Sequence, residues 1–152
     1  MKYIIDASSM ITAMNVRYPP QVFEKLWDEM SSAFSSGTIL SSEVVLLELE
    51  KGSDDVTAWA KKHKGAFEST STQETTEVGG ILSRHPKLVD ASLDREQADP
   101  YIIAKAKIGG NQFTVVSEEN KNKPNKIPMV CTKENVRCID FITMVRDLKW
   151  KF

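Results

Sequence analysis

Four carboxylate side chains in this 152-residue chain each stand at the edge of an apolar run: Asp6 in YIIDASSM, Glu48 in EVVLLELEKG, Asp99 in ADPYIIAKA and Glu119 in VVSEEN. A carboxylate taken out of water is costly unless something positive accompanies it. One divalent cation can accompany several at once. Hard cations such as Mg²⁺ take oxygen ligands, keep several waters, and are usually gripped by one or two carboxylates together with the phosphates of a substrate. Such a set points toward phosphodiester chemistry.

Each acid also has a simpler structural reading. Asp6 follows a strand-like run and precedes Ser8 and Ser9, so it can cap the next helix. Glu48 is surrounded by Val44, Val45, Leu46, Leu47 and Leu49. Glu50 lies roughly 200° and Glu43 roughly 140° around a helix from it, so neither shares its direction. An ion pair with a buried Lys or Arg competes there with a metal. Asp99 before Pro100 reads as an N-cap ahead of a proline at the first helical position, although a capping carboxylate keeps a second oxygen free. Glu118 and Glu119 sit in a turn, where acids are common. Lys121, Lys123 and Lys126 in EENKNKPNK can contact an RNA backbone beside Glu119, but a charged loop is usually just solvated.

The elements that must carry these acids alternate. Tyr3-Ile4-Ile5 is a short continuous apolar strand of the kind covered on both faces. From Pro19-Pro20, the residues Val22, Phe23, Leu26, Trp27, Met30 and Phe34 recur at helical spacing up to Gly37. Ile39-Leu40 leads to Ser41-Ser42 as N-caps for EVVLLELEK, stopped by Gly52. Ser53-Asp54-Asp55 caps a further helix through Trp59, and Lys61, Lys62, His63 and Lys64 suit its C-terminal dipole. Residues 68 to 97 are polar and weakly helical, interrupted by Pro86. Asp99-Pro100 opens a helix through Ile108 that Gly109-Gly110 ends. Phe113 to Val116 form a second buried strand. A helix near Pro128 to Glu134, a strand at Arg137 to Ile139, and a helix carrying Phe141, Ile142, Val145 and Leu148 complete the chain. Strands alternating with helices imply a parallel sheet, whose sites lie at the carboxyl ends of the strands. Asp6 and the residues after Val116 occupy such ends.

Composition narrows the field. The length fits one domain, residues 1-152. MKYIID is too short for a signal peptide and no apolar stretch nears the roughly 18 residues of a membrane span, so a soluble, cytoplasmic protein with no membrane contact is expected. Cys131 and Cys138 lack zinc or C-x-x-C spacing and read as reduced, structural thiols. With 20 basic and 21 acidic residues and net charge −1, the overall field does not favour nucleic acid, and binding would need a local patch. His63 and His85 are not at metal spacing. No Ser-His-Asp or Cys-His set is evident, and Gly79-Gly80 and Gly109-Gly110 form no phosphate-binding fingerprint.

Taken in order, the four acidic segments resemble the motifs of the PIN-domain nucleases, particularly the single-domain VapC-type toxins, over almost the whole chain. IIDASSMI is similar to the opening strand with aspartate and a small polar residue, and SSEVVLLELEKG to the serine-led helix with glutamate before leucine. ADPYIIAKA is similar to the aspartate that opens an Ala/Ile-rich helix, and VVSEE to a strand followed by Ser or Thr, any residue, then an acid. That fourth acid is usually aspartate and here is glutamate. The resemblance implies a PIN-like three-layer α/β fold with a central parallel sheet flanked by helices. It implies a ribonuclease whose catalytic and metal-binding residues are Asp6, Glu48, Asp99 and Glu119, supported by Ser8 and Ser117, with Mg²⁺ or Mn²⁺ as cofactor. It further implies an RNA substrate, a cognate antitoxin and homodimerisation. Two other classes stand beside it. One is a non-catalytic interaction module of the same fold. The other is a phosphoryl-accepting signalling domain, which needs a pair of acids near the first strand and a late-strand lysine, where the sequence offers only Asp6.

Overall fold

The computed structural model describes residues 1–52 and 54–152, so Ser53 of the expected Ser53-Asp54-Asp55 cap lies outside the described residues. Five strands, β1 (Lys2–Ile5), β2 (Ile39–Ser42), β3 (Phe67–Glu68), β4 (Phe113–Val116) and β5 (Cys138–Ile139), form a sheet in the order β3-β2-β1-β4-β5. Every pairing is parallel. This follows from the chain's alternation, because each strand reaches its neighbour only by a crossover. The eight α-helices among the described residues are α1 (Ala7–Thr12), α2 (Glu24–Ser36), α3 (Glu43–Glu50), α4 (Asp55–Lys62), α5 (Thr72–Arg84), α6 (Asp99–Ile108), α7 (Ile127–Lys133) and α8 (Phe141–Asp147). None is long and apolar enough to cross a membrane.

Central strands β1 and β4 carry Ile4, Ile5, Val115 and Val116, all fully buried, at the centre of one connected apolar cluster. Their register sets Ile5 opposite Val116. The Asp6 N–H donates to Val116 O at 3.1 Å and the Ser117 N–H to Ile139 O at 3.0 Å, so both residues leave the sheet at the same edge. On one flank, Trp27 and Phe34 of α2 meet Trp59 of α4 edge-on, with ring centroids 5.3 and 4.9 Å apart. Such pairs add about 0.5–1.5 kcal/mol beyond their buried area.

Several boundaries differ from those expected. The helix assigned from Pro19 begins at Glu24. Val22 is 73% exposed and Phe23 also faces water, because two consecutive prolines hold residues 19–22 in a turn that rotates them off the core stripe. Ser42 alone caps α3, accepting from Val44 N–H at 3.1 Å, whereas Ser41 is the last but one residue of β2 and donates its hydroxyl to Ile5 O at 2.6 Å. Asp54 caps α4, which runs past Trp59 to Lys62. The polar stretch 68–97 contains a full helix, α5, whose Val78 and Ile81 pack inward while most of its surface is polar. The last strand is Cys138–Ile139 and excludes Arg137. Gly109 does end α6, and here only glycine fits, since a Cβ would run into the Phe113 ring.

Candidate functional site

The candidate acids arrive from four different elements. Asp6 lies immediately beyond β1 and is the N-cap of α1. Its Oδ1 accepts from Ser9 N–H at 2.8 Å. Capping does not exhaust it. The Ser8 hydroxyl lies 2.9 and 2.8 Å from its two carboxylate oxygens, and the Ser117 hydroxyl donates to Oδ2 at 2.7 Å. The same two serines then accept from the backbone N–H groups of Glu118 (3.2 Å) and Glu119 (3.1 Å). A continuous polar chain therefore fixes the loop after β4 relative to Asp6.

Asp99 is placed differently from the N-cap that Asp-Pro suggests. Ala98 occupies the cap and Asp99 is the first helical residue, so its carboxylate is not used on the helix's own N–H groups. No hydrogen bond to that carboxylate is found among the described residues. The displacement has a visible cause. Ala98 N–H donates to Glu48 Oε1 at 3.0 Å, which ties the start of α6 to α3 and begins the helix one residue early. Glu48 reaches Arg95 with its other oxygen at 3.8 Å, a loose pair in which both side chains retain solvent contact. The expected competition between metal and ion pair is thus realised with a long, half-exposed partner. Arg95 lies in the polar stretch without periodicity, where nothing local marks it as a partner of Glu48.

Glu118 and Glu119 point to different places. Glu118 accepts from Phe141 N–H at 2.7 Å and faces Arg17 at 3.2 Å, serving the junction of α8 with the helical turn that follows α1. Glu119 Oε1 accepts from Ile127 N–H at 3.0 Å, and its charge acts on Asp6, Glu48 and Asp99. Lys121, Lys123 and Lys126 are all exposed; the charge of Lys126 acts on Asp99 and that of Lys121 on Asp140. The histidines are elsewhere: His63 lies against Ser31 and Trp59, and His85 bonds Glu134.

The electrostatics mark these acids as a group. Asp99 is pushed up to about 8, first by burial and then by the negative charges of Glu119, Asp6 and Glu48, against the opposing pull of Lys126. Asp6 is pushed up to about 6 by burial, despite the hydrogen bonds from Ser9, Ser117 and Ser8 that favour its anion. Glu48 is raised by burial in spite of Ala98 N–H and Arg95. Ionised carboxylates that shift one another this way lack a compensating cation. As placed, no group of three or more His, Cys, Asp or Glu among the described residues is gathered closely enough to hold an ion. The arrangement is a shared acidic field at the carboxyl edge of the sheet rather than a closed cage. Its donor set, all anionic oxygen, fits a hard divalent cation and offers nothing to a soft one.

Residues 3–152 match the family model described as a domain of unknown function, DUF4411. The chain belongs to this family. No curated protein matches this DUF4411 chain. Among solved structures, it is similar to VapBC2 from Rickettsia felis bound to a DNA fragment from their promoter, with 18% identity, TM-score 0.57, and coverage of 93% of this chain and 99% of that chain. It is similar to a DNA-bound VapBC from Salmonella typhimurium, with 18% identity, TM-score 0.57, and coverage of 92% and 98%. At that identity the likeness is one of fold. The PIN-like three-layer α/β architecture is the one this DUF4411 chain adopts.

The neighbouring glutamates supply a test of which one serves the site. Glu119→Gln is expected to raise the Mn²⁺ concentration needed for half-saturation of the acids, because it removes charge from the shared field. Glu118→Gln is expected to leave that concentration unchanged and to cost about 1 kcal/mol of stability, because it weakens the pair with Arg17 and keeps an acceptor for Phe141 N–H. A Mn²⁺ titration and a urea melt of both variants decide it, and the reverse ranking would move the site by one residue.

Proposed function

We propose that this chain is a metal-dependent ribonuclease, the toxin of a toxin–antitoxin pair acting in the cytoplasm. The observation that carries this reading is Asp99: a half-buried carboxylate at a helix start, not used as a cap, raised to about 8 by desolvation and by three acids from other elements. A set of acids that is strained without a cation and lies at the carboxyl edge of a parallel sheet is suited to holding one against a phosphate. Asp6, Glu48, Asp99 and Glu119 would hold Mg²⁺ or Mn²⁺, which when bound supplies charge stabilisation at the phosphate oxygens and a more acidic water. The chain's own residues orient and steer. Ser8 and Ser117 fix the Asp6 carboxylate, and Lys126 with the exposed Lys121 and Lys123 offers positive charge to the RNA backbone beside Glu119. The VapBC complexes support a cognate antitoxin as partner, and a homodimer belongs to the same proposal.

A second reading, a non-catalytic interaction module of the same fold, draws on the Arg95–Glu48 pair, which partly neutralises one of the four acids within the chain itself. Incubating the purified protein with RNA in Mg²⁺, in Mn²⁺ and in chelator separates the two. Cleavage that needs the metal supports the nuclease; none under any condition leaves the module.

Metal is also expected to act on stability. A ligand that binds only the folded state stabilises it by mass action, so millimolar Mg²⁺ or Mn²⁺ should raise the thermal midpoint. Glu48→Gln should blunt that rise. A midpoint indifferent to both ions and to chelator in the parent protein would mean that the acids are not a cation site.

A further inference from the structure

Beside the carboxylates, at the β5 edge of the sheet, a cavity of about 270 Å³ opens between α7, the end of β5 and α8. Ser117 joins it to the acidic site. The same side chain lines the cavity and donates its hydroxyl to Asp6 Oδ2 at 2.7 Å. Whatever fills the cavity therefore sits one side chain away from a carboxylate of the proposed metal site. The two walls differ in character. Met129 and Ile139 give an apolar face, whereas Thr132, Asp140 and Lys121 bring a hydroxyl, an anion and a cation to the opening. Asp140 is held in place because its Oδ1 accepts from Thr143 N–H at 3.0 Å.

Size and polarity both restrict the occupant. Sites for drug-sized molecules begin near 300 Å³, so a cavity at or just below that limit takes one planar ring system rather than a run of chain. An aliphatic and thioether wall suits the face of such a ring. A rim of donors and acceptors suits its edge. A phosphate finds the apolar side chains of Met129 and Ile139 and an opposing Asp140, so it is poorly served inside, but the exposed Lys121 stands at the mouth to meet one. Single-stranded RNA presents this combination, since its bases can be splayed out, stacked and read along their edges while the phosphates stay outside. We propose that this cavity binds one nucleobase of the RNA, the base flanking the phosphate at the carboxylate site, and thereby sets base preference at the cleaved position. It rests on the ribonuclease reading above.

Nucleoside 3′,5′-bisphosphates test the cavity without requiring cleavage, because they carry a base and both flanking phosphates but no diester. The protein is labelled at its methionine methyls, Met129 is assigned from Met129→Leu, and the four bisphosphates are titrated in Mg²⁺ beside the base-less ribose bisphosphate. At least one base-bearing compound is expected to shift the Met129 methyl, and the base-less one is not. Thr132→Trp, on the exposed side of α7, fills the opening and should weaken that binding about tenfold or more. Thr143→Leu repeats the obstruction from the α8 wall, and the methyl spectrum without ligand reports whether either variant is folded. An equal shift from the base-less compound, no shift from any of the four, or unchanged affinity in both folded variants overturns the assignment. Base binding without cleavage of any RNA would support the cavity and remove the ribonuclease reading; metal-dependent cleavage without base binding would remove only the cavity.

Discussion

Asp99→Asn is expected to abolish metal-dependent cleavage and at the same time to make the metal-free protein more stable. The loss should be at least about 100-fold, the upper end of what removing a merely supporting residue costs at a metal site. The gain in stability follows from the position of the carboxyl group. Its folded pKa is raised to about 8, so its ionised form is disfavoured by burial and by Glu119, Asp6 and Glu48. With the folded value above the unfolded one, the cost is fully present above about pH 8 and is relieved as pH falls toward the unfolded value of 3.8. Asparagine keeps the shape and removes the charge, and should stabilise by about 1–3 kcal/mol near pH 8, with the advantage vanishing below about pH 4. Thermal melts of both proteins in chelator across that range, beside a cleavage assay, test it. A destabilised variant would show that Asp99 has a structural partner after all. Asp6→Asn should also abolish cleavage and leave the fold intact, since asparagine caps helices well. Its gain in stability should be smaller, because Ser8, Ser9 and Ser117 already favour the Asp6 anion.

Glu134→Ala is expected to cost about 2–4 kcal/mol of stability and to leave the acidic site working. Glu134 is 3% exposed at its side chain and accepts from Arg84 Nε at 2.9 Å, Arg84 Nη2 at 2.8 Å, His85 Nε2 at 2.7 Å and Lys107 Nζ at 2.5 Å. One carboxylate thus joins α5, the turn after it, and the last turn of α6. Alanine would leave three basic groups facing a hole. These partners hold the Glu134 carboxyl well below its ordinary range, the Arg84 hydrogen bond contributing most among those that lower it, against burial. A depressed folded pKa gives stability that is present above the unfolded value of 4.5 and is lost as pH falls toward the folded one. Urea melts should therefore show the full difference between parent and variant at pH 7 and a shrinking one below about pH 4. Metal affinity should be retained, because Lys107 is eight residues, or about 12 Å of helix, from Asp99. A variant as stable as the parent would show that the network is not a joint between helices.

These two groups of residues differ in how far the sequence reveals them. The acids of the site sit beside apolar runs, and an ionisable side chain there is conspicuous against its neighbours. Glu134, Arg84, His85 and Lys107 come together from separations of up to 50 residues, so nothing local distinguishes them from solvated charge. The same holds for α5, whose buried face is narrow and whose Gly79-Gly80 and several threonines carry little intrinsic helix preference. It is a helix because α6 covers it. Val22 and Phe23 are the opposite case: they keep helical spacing with Leu26 and Trp27, but the two prolines ahead of them set a turn and α2 starts only at Glu24.

The order of apolar runs, acids and caps in the sequence determines that this chain alternates strands with helices, that the strands pair in parallel, and that Asp6 and the residues after Val116 stand at one edge of the sheet. Local spacing carries that much because the periods of strand and helix, and the residues that start and stop them, are properties of a few neighbours. Tertiary structure alone decided what each acid does there. The Ile5–Val116 register sets Ser117 against Asp6, the Glu48 bond to Ala98 N–H starts α6 one residue early, and the early start releases Asp99 from capping. The reason is physical: hydrogen-bond partners and the removal of water are set by which distant elements close over a side chain, and no local spacing contains that information.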